Sequence, residues 1–238
     1  MEHRFTKILI AIAAGSLMIA GSASASLLPT LTGTFQWANA DYWSVTDLSS
    51  GQGAFELHWE NPGASYESSF GLYSLDSSGG IFDTFELFAA SQEPASGSTT
   101  PTTSSAWFKY FGSTWQVSDA ENGTYKDFGS VFGFYADIYE DGIDTPSVDD
   151  IDNTWYTDVA FNSDGFEHFA IAYDKDNHNT SIWLEDRVGG LQSGGSDPVD
   201  LMVTSSDINP VPEPSTMLLF GAGLAGLAGL ARRKKMNK

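Results

Sequence analysis

Apolar and polar residues alternate along the middle of this chain with a period of two, and that pattern limits its fold more than any other feature. Phe55, Leu57 and Trp59 alternate with Glu56, His58 and Glu60, the order that turns one side of a strand towards a core and the other towards water. Segments of the same kind, rich in aromatic and β-branched residues, recur at 34–37, 69–73, 81–88, 107–111, 114–117, 131–139, 155–161, 166–173, 181–185 and 200–204. Between them stand turn-forming clusters such as Asp76-Ser77-Ser78-Gly79-Gly80 and Asn162-Ser163-Asp164-Gly165. No stretch of residues 26–210 carries a convincing helical period, and nothing reads as a strand–helix–strand unit. The pattern predicts an all-β body, an antiparallel β-sandwich or jelly roll.

One stretch departs from this rhythm. Residues 91–105 (SQEPASGSTTPTTSS) are rich in Ser, Thr and Pro, which predicts a long exposed loop. It could also divide the body into two small sheets, 26–90 and 106–208. The first of these would lack any disulfide and be marginal in size for independent folding, so a single body with an inserted loop is the preferred reading.

Both ends of the chain differ from its middle. Arg4 and Lys7 precede an apolar run from Ile8 to Ala20, followed by Gly-Ser-Ala-Ser-Ala. This is the layout of a secretory signal, with Ala23 and Ala25 as the small residues of a cleavage site and signal peptidase as the partner. The apolar run is too short for a membrane-spanning anchor. At the other end, Val211-Pro212-Glu213-Pro214-Ser215 precedes a second apolar run, Met217 to Ala231, and then Arg232-Arg233-Lys234-Lys235. Pro212 and Pro214 hold their segment extended. The run predicts a short hydrophobic helix, and the basic cluster keeps the end of the chain cytoplasmic.

This three-part tail resembles the PEP-CTERM sorting signal, with Pro212, Glu213 and Pro214 as its tripeptide. The resemblance implies a precursor held in the inner membrane until an exosortase-type protease cuts near the motif. It further implies a Gram-negative bacterium that makes an extracellular polysaccharide, and a destination at the cell surface or outside the cell. A second resemblance runs through the body, in the blocks 131–135 (VFGFY), 155–158 (WYTD), 162–168 (NSDGFEH), 182–190 (IWLEDRVGG) and 195–203 (GSDPVDLMV). Their order is similar to an uncharacterised β-sandwich domain of secreted bacterial proteins, often found just ahead of such a tail. That domain's last block has an Asp-x-Asp-aromatic-Asn-Asp character. Here Asp197 and Asp200 are kept, and the aromatic and the asparagine are not.

Charge narrows the partners. The chain has a formal net charge of −20, and residues 26–210 hold only four basic residues, Lys109, Lys126, Lys175 and Arg187, against 29 acidic ones. Such a body is repelled by nucleic acid and by anionic lipid. With no cysteine, disulfides, thiol nucleophiles and thiolate metal sites are excluded.

The acids themselves form candidate calcium ligands, since calcium takes oxygen ligands from flexible loops. Asp137, Glu140, Asp141, Asp144, Asp149, Asp150 and Asp152 crowd one segment. It reads either as a calcium loop or as a solvated acidic loop. Glu185 and Asp186 with Asp197 and Asp200 form a second group, tied to the body resemblance. Residues 174–185 imitate an EF-hand in their first, third and twelfth positions, but His178 and Asn179 stand where that loop needs its sharp turn, and strands flank it. An Asx-rich hairpin turn explains it better.

Catalytic motifs are scarce: there is no Gly-x-Ser-x-Gly, no His-Glu-x-x-His and no phosphate-cradling loop. His58 and His168 read as strand-face residues. Trp37, Trp59, Trp107, Trp115, Trp155 and Trp183 are expected mostly in the core, and Trp43 is expected to be the exposed ring. The leading reading is therefore an exported, non-enzymatic surface or matrix protein that binds calcium or glycan. The alternative is a secreted carbohydrate-active or other hydrolytic enzyme, which would need a facing carboxylate pair in a cleft.

Overall fold

The computed structural model describes residues 31, 33–45, 52–60, 66–90, 105–111, 114–120, 123–139, 151–192 and 200–211. The expected signal helix, Ala23 and Ala25, the C-terminal helix with Pro212, Glu213 and Pro214, and the acids Glu140, Asp141, Asp144, Asp149, Asp150 and Asp197 lie outside the described residues. So does most of the Ser/Thr/Pro-rich stretch.

The described strands are β1 (Phe35–Trp37), β2 (Trp43–Val45), β3 (Gln52–Glu60), β4 (Glu67–Ser68), β5 (Phe70–Leu75), β6 (Ile81–Phe88), β7 (Ser105–Phe111) and β8 (Thr114–Ser118). They continue with β9 (Lys126–Asp127), β10 (Val131–Tyr139), β11 (Asn153–Tyr156), β12 (Phe169–Asp174), β13 (Asn179–Leu184), β14 (Leu201–Ser205) and β15 (Ile208–Pro210). They form two antiparallel sheets. One runs β1-β12-β13-β14-β3-β7-β8-β9, and the other β15-β2-β10-β5-β6, with β4 and β11 also paired to β10. Because β3 pairs β7 and β5 pairs β10, strands from before and after residues 91–104 interleave in both sheets.

Alternation explains which residues enter the core between them. On β3, Phe55 and Leu57 are buried and Glu56 is exposed. Phe55 meets Phe108 of its own sheet and Phe132 and Phe134 of the other, with ring centroids 5.2, 6.4 and 6.2 Å apart. One apolar cluster therefore takes residues from both sheets. β10 is buried on both faces, because the tyrosines of β5 and β11 cover its outer side. Tyr73 and Tyr135 each lie within ring-contact distance of Tyr156.

Three expectations change. The segment 155–161 is not one strand: β11 stops at Tyr156, and Asp158 then caps a 3-10 turn, Val159–Phe161, by accepting from the Ala160 N–H. Trp43 is fully buried, not exposed. Its strand runs between β15 and β10, which sends the ring into the core against Phe134 and Tyr173. Trp37 is exposed instead, at 41%. It sits on the edge strand β1, touching Trp183.

Candidate metal centre

β13 and β14 pair as far as Leu184 and Leu201, and the next residue outward on each strand is acidic. Glu185 and Asp186 leave the end of β13, and Asp200 leads into β14. The Asp200 N–H donates to the Leu184 carbonyl at 2.8 Å, and the Asp186 N–H to Asp200 Oδ2 at 3.2 Å. Antiparallel pairing thus brings together carboxylates that the chain separates by some fourteen positions. One oxygen from each of Glu185, Asp186 and Asp200 lies within 4.8 Å of the others, and all three residues are buried. Asp186 is only 3% exposed, and no hydrogen-bond donor reaches either of its carboxylate oxygens.

A second layer of residues holds this corner in place. The Trp155 indole N–H donates to the Asp186 carbonyl at 2.8 Å. His168, wholly buried, stacks flat on Trp155, with ring centroids 3.8 Å apart. Its Nδ1 lies 2.9 Å from the Glu185 carbonyl oxygen, and its Nε2 lies 3.1 Å from Asp164 Oδ2. Asp164 also accepts from the Gly189 N–H at 2.8 Å. Gly190 completes the turn with a left-handed φ of 54°, and a Cβ there would sit 2.1 Å from the Glu167 carbonyl oxygen. Only glycine satisfies both constraints.

Electrostatics sets this corner apart from the rest of the acidic surface. Two like charges no more than 4.8 Å apart repel by at least about 3.5 kcal/mol at an effective dielectric constant of about 20. Burial, and then the neighbouring Asp200 and Glu185, push the Asp186 carboxyl up to about 8, against a weaker opposing pull from Arg187. The three side chains offer only hard oxygen donors, with no histidine or cysteine in the group. Such a set suits calcium or magnesium rather than zinc or copper.

The other candidates are placed differently. Asp137 lies on β10 and accepts from the Thr154 hydroxyl at 2.6 Å, and burial pushes its carboxyl up. Asp152 precedes β11, and its N–H donates to the Ile138 carbonyl. Neither belongs to the buried trio, which is the metal-competent group among the described residues. The turn after β12 is Asx-rich: Asp174 Oδ1 accepts from the Asp176 and Asn177 N–H groups, and His178 takes a φ of 57°. His58 faces outward on β3, its Nε2 2.7 Å from the Thr204 hydroxyl. Asp164, His168 and Trp155 support the trio although sequence spacing assigns them no such role. The one signal for them is that they fall in the blocks 155–158 and 162–168.

Beyond the last strand the tail begins. Residues 210–235 match the PEP-CTERM protein-sorting motif. The chain is thus of the class of exported precursors, membrane-anchored before processing and handled by an exosortase. No curated protein and no solved structure matches it. No helix among the described residues is long and apolar enough to cross a membrane, and the apolar run of the tail lies outside them.

Proposed function

We propose that this chain is a non-enzymatic protein of the cell surface or extracellular polysaccharide matrix. Its two-sheet body, arranged as a β-sandwich, is the working part, with calcium or glycan as its ligand. The observation that carries this reading is how the folded body meets the sorting motif. β15 ends at Pro210 in register with Trp43 of β2, and the Val211 N–H donates to the Tyr42 carbonyl at 2.8 Å. The body is therefore closed by hydrogen bonds where the motif begins. A cut at Pro212-Glu213-Pro214 would remove the tail without unpairing a strand. Mass spectrometry of the protein released by producing cells tests this. The expected product begins near Ser26 and ends near Pro214, and a released form that keeps Arg232 to Lys238 would overturn it.

An open groove gives the hydrolytic alternative a place where it can be tested. Asp83 and Asp127 both line an open groove of about 540 Å³, beside Phe82 and Trp115. Asp83 is paired with Lys126 at 2.8 Å, and Asp127 accepts from the Gln116 amide at 2.6 Å, so both carboxylates are held as structural acceptors. Incubation with neutral polysaccharides should give binding without new reducing ends. Reducing ends that vanish in Asp83→Asn and Asp127→Asn would establish the enzyme instead.

A further inference from the structure

We propose that Glu185, Asp186 and Asp200 form a calcium site that clamps the connection between β13 and β14. The inference deepens the proposed function and rests on it only for the compartment that supplies the ion. An acidic cluster alone would not carry it, since this chain has acids to spare. What carries it is Asp186, 97% buried by its 3% exposure, with two carboxylate oxygens that no donor reaches. Buried polar groups in native proteins almost always have partners. An orphaned carboxylate facing two more carboxylates calls for a positive partner between them, and the oxygen-only donor set is one that holds a hard cation.

The kind of cation follows from the donors. The three side chains supply oxygen only and lie close enough to share one ion. Calcium accepts six to eight oxygens in irregular geometry, whereas magnesium demands a near-ideal octahedron and keeps several of its waters. Three converging carboxylates from a strand end and the strand beside it form no octahedron, and calcium tolerates such irregular oxygen geometry where magnesium does not. The surrounding residues fix the backbone carbonyls of Glu185 and Asp186 and the N–H of Gly189. The site is thus preformed by the fold, and a divalent ion offsets two of the three negative charges its carboxylates can carry. Sites of modules outside cells bind calcium with dissociation constants of about 10⁻⁴ to 10⁻³ M, and this one belongs in that range.

The test uses the full chain, purified in detergent, stripped with EGTA and titrated with calcium chloride or magnesium chloride at constant ionic strength. Calcium is expected to bind one per chain and to raise Tm in a saturable way, with magnesium at least about tenfold weaker. Asp186→Asn should abolish the calcium response while melting no lower than the stripped wild type, because it removes a repulsive charge. Should that variant fail to fold, Glu185→Gln is the second probe, expected to weaken binding with an unchanged circular dichroism spectrum. Absence of calcium binding at 10 mM, on the order of ten times the weakest expected constant, would overturn the site. So would an equal response to both ions, or a full response in either variant. A shared proton in place of the ion would appear as that first outcome. Binding by a chain whose tail is never cut would keep the site and refute the sorting reading, and the reverse result would do the opposite.

Discussion

Asp186 and Asp174 are both acids of the same sheet, and their surroundings drive them in opposite directions. Asp186 has no donor. Asp174 is held down to about 2, first by the Thr34 hydroxyl and then by the Asn177 amide and the Asp176 N–H. Its folded value lies below the ordinary aspartate value of about 3.9. Its stabilisation is therefore present above that value and is lost as pH falls through about 2. Asp174→Asn should lower the urea midpoint at pH 6 and flatten the acid limb between pH 4 and 2. An acid limb identical to that of the wild type would show that the turn does not draw on the charge. Neither behaviour is visible in residue type alone, for both are aspartates next to a strand end.

At the scale of elements, β10 organises its sheet, pairing with β2, β4, β5 and β11. Its outer side has room for a layer of tyrosines because position 133 has no side chain. A Cβ on Gly133 would lie 2.3 Å from the Tyr73 ring. Gly133→Ala should therefore cost about 1–3 kcal/mol, the usual range for overpacking, read as a shift in the urea midpoint. In a Tyr73→Ala background the same change should cost much less, since the two positions are coupled through contact. Equal costs in both backgrounds would contradict the packing argument. The pattern of β10 is legible as a strand from its length and aromatic content. That both of its faces are buried is not, because the covering residues come from β5 and β11.

For the whole molecule, the dominant fact is charge of one sign. Four basic residues face 29 acidic ones between positions 26 and 210. Among the described residues, two lysines are committed to ion pairs, Lys126 with Asp83 and Lys175 with Asp176. Self-repulsion opposes the compact state, and salt screens it over about 10 Å at 0.1 M. Raising sodium chloride from 20 to 300 mM should raise the melting temperature, with calcium adding a further increase at equal ionic strength. A melting temperature that falls over that range would mean that attractive pairs outweigh the repulsion.

Strand-forming segments and the sorting tail are legible in the amino-acid sequence because both are encoded in short runs. Period-two alternation needs only neighbours in the chain, and a processing protease reads an extended peptide. The strands over 81–88 and 131–139 coincide with their predicted bounds. Trp43 and Trp37 exchange their expected environments because burial depends on strand order, and strand order is made by pairings between distant segments. The trio has the same origin. Glu185 and Asp186 are ordinary acids after a strand until β14 is placed beside β13, and Asp164, His168 and Trp155 support them only once β11 and β12 have closed around that corner. Short-range pattern determined what each segment is, and long-range pairing decided which side chains meet out of reach of water.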